Sequence, residues 1–352
     1  MFNETLSHRD KLLKENWYIA CQSFRLKDKK ALKRTIYDED LVLFRDENGK
    51  AVCFQDRCIH RNAPLSAGEV KCGKIVCPYH GWTYDKSGDL ISIPSEKVSC
   101  LNTGKRKLSA KEVCEQDGFV WVWMGQNKPE KDHKPWSVPH RNMSEWNHYV
   151  METPFENEVT HLVENFMDVP HTVFVHKGWF RNSAEKEVKI DVETKQGETL
   201  VTYHRKDDKI GFIDRLLNPK GKALKHTDRF IMPNITQVDY LFGESSGFSI
   251  ISQCTPVSTL KTHVYTIISY KIFPADVLLK PFLNWYTRVV INQDVDIMEL
   301  QGKNLSRFND VKFMGGVADV VHREIEKLRT TGIENTKGFY NINSFKTAEI
   351  WI

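Results

Sequence analysis

The 352-residue chain contains no apolar run approaching the roughly 18 residues that a membrane-spanning helix needs. Its most apolar helical stretch, residues 277–291, is interrupted by Lys280, Asn284 and Arg288. The opening residues include His8, Arg9, Asp10, Lys11, Lys14 and Glu15 and lack the apolar core of a secretory signal. Charge of one sign is also scarce. A net +4, with no basic stripe interleaved with aromatics, gives no reason to expect a nucleic-acid partner. The eight cysteines show no disulfide-framework spacing. Cys21, Cys53, Cys72, Cys100, Cys114 and Cys254 are therefore expected to be buried or half-buried thiols in a cytoplasmic protein, with packing preferred over a regulatory disulfide at Cys72. Neither a glycine-rich nucleotide-binding turn nor a C-x4-C-x2-C iron–sulfur signature is present, so any electrons the chain uses must come from separate proteins.

Against these absences stand four residues: Cys58 and His60 in C-I-H-R, then, after sixteen intervening residues, Cys77 and His80 in C-P-Y-H-G-W. Each loop offers one thiolate and one imidazole, the ligand set of a Rieske [2Fe-2S] centre, in which two His replace two Cys on one iron. Neutral imidazoles raise the potential above that of an all-thiolate cluster, so such a centre accepts and passes on electrons. The alternative is a structural Cys2His2 zinc site. Zinc fingers normally pair Cys with Cys and His with His, whereas each loop here mixes the two.

At this length two domains can each bury a core. Trp17–Cys21, Leu41–Phe44, Ala51–Phe54 and Gly118–Met124 read as strands of an all-β unit that follows a charged N-terminal helix, with a turn at Asp46–Gly49. The proline-rich segment 126–140 reads as a linker, dividing the chain into residues 1–135 and 136–352. The second half begins with a helical stretch, Glu158–Val169. Alternating strands follow over Val188–Thr194, Leu200–Arg205, Phe230–Phe242, Phe248–Pro256 and Thr262–Phe273. Helical patterns then run from Ala275 to about Phe308 and from Gly316 to Thr331. An antiparallel sheet packed against helices from its two ends is an α+β arrangement.

Asp168, His171 and His176 fall within nine residues. The two histidines would lie roughly 140° apart on a continuous helix, but Pro170 disfavours helical geometry at Val169 and should break the helix just before His171. Two imidazoles leaving a broken helix suit non-haem Fe(II), whose usual site adds one carboxylate. Helical phase selects it: Asp294 sits within the apolar stripe Thr287, Val290, Ile291, Ile297, Met298, whereas Asp296 shares the polar side with Asn292, Gln293 and Lys303. A core-facing carboxylate is costly unless paired or metal-bound, so Asp294 is the predicted third ligand. Phe230, Met232, Tyr240, Phe248 and Ile250 are candidates to line an apolar pocket.

With both motifs in place, the chain resembles the single-subunit Rieske non-haem iron oxygenases, the group that includes vanillate O-demethylase, dicamba demethylase, aminopyrrolnitrin oxygenase and the saxitoxin-pathway hydroxylases. The resemblance spans roughly Trp17 to Gln301. It implies an N-terminal Rieske domain, a helix-grip-like catalytic domain with mononuclear Fe(II), a homotrimer, and a ferredoxin or flavin reductase as electron donor. It also implies that Asp168 bridges His171 to His80 of a neighbouring subunit and that Asn165 lies near the iron. The implied reaction is O2-dependent hydroxylation or oxidative demethylation of a small organic substrate. Ring cis-dihydroxylation is the alternative, and a non-catalytic electron-transfer or docking protein is the reading from another class. The segment Arg25–Arg34, with six basic residues and one acid, and Lys105–Lys107 are candidates for steering an acidic donor.

Overall fold

The structure, a computed structural model, describes residues 13–96, 106–179, 187–204, 218, 221–243, 246–273, 276–308, 313–334 and 337–351. Two compact units are present: Lys14–Ser137, and the chain from Val138 onward together with Leu13. The charged N-terminal helix expected ahead of Trp17 lies almost wholly outside the described residues, and 13–16 form a turn and bend.

The first unit is built from three small antiparallel sheets. One pairs Trp17–Gln22 and Val113–Gln116 with the fully buried central strand Phe119–Trp123. The second runs Leu32–Ile36, Glu39–Arg45, Ala51–Gln55, Ala110–Lys111. Its hairpin at Asp46–Gly49 is closed by the Asp46 carboxylate, which accepts from the Asn48 and Lys50 amides at 2.9 and 2.8 Å. The third sheet, Glu69–Lys71, Lys74–Val76, Thr83–Tyr84, Leu90–Ser92, carries the Cys77–His80 loop between its second and third strands, and the Cys58–His60 loop lies on the connection that enters it from Ala51–Gln55. Cys72 is not a packed thiol. It is exposed, with φ +48°, and with Gly73 (φ +71°) makes the two-residue turn between Lys71 and Lys74, whose right-handed strand twist demands two left-handed residues. Cys100 and Lys105 lie outside the described residues.

The second unit is α+β. Eight strands form one wholly antiparallel sheet in the order Asn147–Phe155, Lys261–Lys271, Ser246–Ser258, Ile235–Phe242, Leu224–Ile231, Glu198–His204, Glu187–Lys195, Ser344–Trp351. The stretch expected as one strand, Phe230–Phe242, is a hairpin: Pro233 cannot donate to a ladder, and the chain reverses between Ile231 and Ile235. The two edge strands carry no expectation from the sequence. Asn147–Phe155 contains Pro154, and Ser344–Trp351 buries little, both habits of edges.

Three helices cover the buried side of this sheet. Val159–Met167 packs against the three strands between residues 224 and 258, Lys280–Arg307 against Asn147–Phe155, and Val320–Glu334 against the two strands between 187 and 204. Leu162, Val163, Phe230, Phe248, Leu283, Ile325 and Leu328 belong to the resulting core. No helix among the described residues is long and apolar enough to cross a membrane.

Candidate metal centres

The two loops of the first unit bring Cys58, His60, Cys77 and His80 together. Each is shaped by short backbone bonds: Asn62 N–H to Cys58 O at 2.9 Å in one, Gly81 N–H to Cys77 O at 3.1 Å in the other, with Gly81 at φ +70°. Both thiols are buried while the His60 and His80 rings face each other with centroids 4.7 Å apart. His60 Nδ1 is buried and has no hydrogen-bond partner. A buried orphan nitrogen is costly unless something ligates it, and with two buried thiols beside it the donor set fits a [2Fe-2S] cluster. Burial above all pushes the Cys77 thiol up from its ordinary value, a cost that a bound cation reverses.

Trp82 stacks on His60 at 4.4 Å and 3°, fixing the ring plane, and the Arg106 guanidinium lies 5.7 Å from the indole. Arg57 and Arg61 are exposed. Tyr84 is an addition the sequence did not single out. Its hydroxyl lies 3.2 Å from Cys58 Sγ, and toward a cluster-bound thiolate it could only donate, which would stabilise the reduced cluster and raise its potential.

The second constellation forms where the helix Val159–Met167 stops. Glu158 caps its start by accepting from Thr160 N–H at 2.8 Å. Its end differs in detail from expectation: Val169 keeps right-handed torsions (φ −68°, ψ −36°), and Asp168 (ψ +96°) carries the break. Pro170 then opens a short 3-10 turn, Pro170–Val173, at the position where a missing N–H and a fixed φ cost nothing. The coiled segment that follows closes with Val175 N–H to His171 O at 2.9 Å.

The result is convergence. His171 Nε2 and His176 Nε2 lie 3.2 Å apart, and Asp294 Oδ1 lies 3.5 Å from the first and 3.2 Å from the second. This triangle has the edge lengths of neighbouring donors on a first-row ion with bonds near ~2.1 Å. Asp294 is 6% exposed, as helical phase required, and Asp296 is exposed; Ile297, assigned to the same stripe, is nonetheless 38% exposed. The electrostatics point the same way. Burial would raise Asp294, but hydrogen bonds from His171 and His176 hold it down at about 2. Burial would lower His171, but the carboxylates of Asp168 and Asp294 hold it up at about 9. The carboxylates thus favour a positive charge between the two rings, and a divalent ion is the group the three donor atoms fit.

The outer partners fix which ring nitrogens face inward. His171 Nδ1 donates to the Asp168 carbonyl, and the Asp168 carboxylate lies 3.6 Å from the same nitrogen. His176 Nδ1 donates to Gln293 Oε1 at 2.9 Å. Asn165, buried, donates from Nδ2 to Asp294 Oδ1 at 3.1 Å. Gln293 was assigned to the polar side of its helix; it sits one residue from Asp294, at the margin of the apolar stripe, where a long amide side chain reaches inward. Gln293→Leu is expected to weaken affinity for the mononuclear ion about 10- to 100-fold without altering the cluster spectrum. A metal-competition titration measures this, and an unchanged affinity would show that another group sets the His176 tautomer. His161 takes no part in the triangle; its Nδ1 lies 3.5 Å from Glu164 and its ring faces Phe313.

A cavity of about 120 Å³ is lined by His171, His176 and Asp294 and by apolar side chains including Phe166, Val238 and Val290. Of the five residues proposed for a pocket wall, Tyr240 and Ile250 line it; Phe230 and Phe248 are buried in the core, and Met232 packs against that core.

Residues 16–104 match the Rieske [2Fe-2S] domain, and residues 155–325 match the vanillate O-demethylase oxygenase C-terminal domain. Chlorophyllide a oxygenase of Chlamydomonas reinhardtii is 34% identical over 168 residues, 48% of this chain and 25% of that protein. The vanillate O-demethylase oxygenase subunit of a Pseudomonas species is 30% identical over 199 residues, 55% of this chain and 53% of that protein. The chain thus spans from a quarter to about half of these curated relatives. Among solved structures, dicamba monooxygenase bound to dicamba superposes with a TM-score of 0.80 at 21% identity, over 92% of this chain and 99% of that one. A Rieske [2Fe-2S] domain over residues 16–104 and a vanillate O-demethylase oxygenase C-terminal domain over residues 155–325, the latter of the kind that binds mononuclear iron, are thus joined here in one polypeptide.

Proposed function

We propose that the chain is the terminal oxygenase of a multicomponent system, hydroxylating or oxidatively demethylating a small organic substrate. The observation that carries this reading is the meeting of three ligand-type atoms, His171 Nε2, His176 Nε2 and Asp294 Oδ1, on the wall of an otherwise largely apolar cavity. An electron-transfer or docking protein has no use for such a cavity. The relatives' names, monooxygenases and demethylases, favour monooxygenation over ring dihydroxylation.

In this reading Cys58, Cys77, His60 and His80 hold the cluster, and His171, His176 and Asp294 hold Fe(II). When bound, the two groups supply stored electrons and O2 chemistry. The chain's own residues do the rest. Asn165 fixes the Asp294 carboxylate, Gln293 and the Asp168 carbonyl fix the two imidazoles, and the apolar walls keep bulk water from the reacting atoms. Asp168 has its carboxylate near His171 on one side and stays partly exposed on the other, as a bridge to His80 of a neighbouring subunit in a trimer requires.

A ferredoxin or flavin reductase in the same cytoplasmic compartment delivers the electrons. Charge steering of that donor rests on fewer residues than the sequence implied. Lys33 pairs with Asp40 at 2.7 Å, Arg34 donates to the Ala20 and Lys33 carbonyls, and Lys107 pairs with Asp89 at 3.1 Å. Lys27, Lys29 and Lys30 are exposed cations of the segment that retain this role, with Arg25 exposed over the Phe24 ring beside them.

Asp168→Asn tests the assignment. The amide keeps the shape but loses the charge that holds two imidazoles, so both metals should stay while cluster oxidation in a single turnover with substrate and O2 slows by about tenfold or more. Rapid-mix spectroscopy of the reduced protein reads the rate; an unchanged rate would remove Asp168 from the electron path.

A further inference from the structure

The end of the cavity wall contributed by strand Leu224–Ile231 contains a second polar group that the metal triangle does not use. Period-two alternation puts His226, Asp228 and Phe230 on the buried face of that strand, and Asp228 lines the cavity although it is only 1% exposed. Its two oxygens are held apart by different donors: His226 Nε2 donates to Oδ1 at 3.0 Å and the Tyr203 hydroxyl donates to Oδ2 at 2.8 Å. The His226 ring is itself clamped between Tyr203 at 4.2 Å and Tyr240 at 4.4 Å, both near parallel, across three adjacent strands. This is a rigidly positioned carboxylate on the wall of a mostly apolar chamber.

A carboxylate offers about four lone-pair directions, and the network above takes two, leaving acceptor capacity for a ligand in the cavity that Asp228 lines. The neighbouring polar lining is made of hydroxyls, Thr236, Ser252 and Thr266, and no Lys or Arg is among the described lining residues. At this wall an anionic ligand would meet a like charge in a low-dielectric site, and the one cationic centre among the cavity's described lining residues, the His171, His176 and Asp294 triangle, already carries a carboxylate of its own. A ligand with an N–H or O–H group would find its partner already in place. We infer that Asp228, fixed by His226 and Tyr203, is the polar anchor of the substrate pocket and selects a neutral or cationic substrate bearing a hydrogen-bond donor over a carboxylate or sulfonate. The inference rests on this cavity being the substrate site of the oxygenase proposed above.

Three probes of matched size separate the possibilities: 4-methoxybenzylamine, 4-methoxybenzyl alcohol and 4-methoxybenzoate, titrated calorimetrically into the metallated full chain without O2. The amine and the alcohol are expected to bind at least about tenfold tighter than the acid. Asp228→Asn is expected to narrow that ratio several-fold by weakening the amine and strengthening the acid. The ranking is read first on the wild-type protein, so the test stands even if a variant at this buried position does not fold. Tighter or equal binding of the acid, no measurable binding of the amine, or an unchanged ratio in folded Asp228→Asn would overturn the inference. Because binding is measured without turnover, the ranking can hold while O2 uptake fails, which would overturn the oxygenase reading alone. Conversely, efficient turnover of the acid would overturn the anchor and leave that reading intact.

Discussion

Replacing Asp294 with alanine is expected to strip the catalytic domain of its iron and abolish product formation while leaving the cluster spectrum intact. The carboxylate closes a triangle with 3.2 and 3.5 Å edges to two imidazoles, and its charge is what makes the pocket attractive to a cation. Loss of an outer-shell partner alone typically costs 10- to 100-fold in affinity, so loss of a ligand should leave about a tenth or less of the mononuclear iron bound. Iron analysis after gel filtration, beside the visible spectrum, reads both centres at once. Asp296→Ala, on the exposed side of the same helix, should do little. If Asp296→Ala lost the iron and Asp294→Ala kept it, the ligand assignment would be wrong.

The other large effect concerns potential. His60→Cys and His80→Cys each put a thiolate where an imidazole stands. Added anionic charge stabilises the oxidised cluster, so the midpoint should fall by on the order of 100 mV or more. Spectroelectrochemical titration of the purified variants measures it. A cluster that assembles with an unshifted midpoint would show that these histidines are not ligands.

Much of this was legible in the sequence, and the reason is physical. Cys58, His60, Cys77 and His80 lie on short turns, where sequence spacing is nearly spatial spacing. Asp294 was legible because a carboxylate inside an apolar stripe has few affordable explanations. Residues that act through a second contact left weaker traces. Gln293 reads as an ordinary polar helix residue until His176 is placed 2.9 Å away by a separate segment. Asp228 and His226 occupy the inward phase of an alternating strand, a signal present in the sequence but masked by the longer apolar pattern that ran Phe230–Phe242 together. The turn at Pro233 and the edge strand Ser344–Trp351 depend on long-range pairing, which local periodicity does not encode.

One chain that holds both an electron-storing cluster and a separate mononuclear iron has a definite iron content and a definite spectrum. Iron counting on anaerobically purified protein, paired with electron paramagnetic resonance of the reduced sample, tests it most directly. A Rieske-type signal is expected together with the two irons of the cluster and one more per chain, the last removed selectively by Asp294→Ala. Zinc at the Cys58, His60, Cys77 and His80 site in fully metallated protein, with no visible absorbance and no such signal, would contradict it.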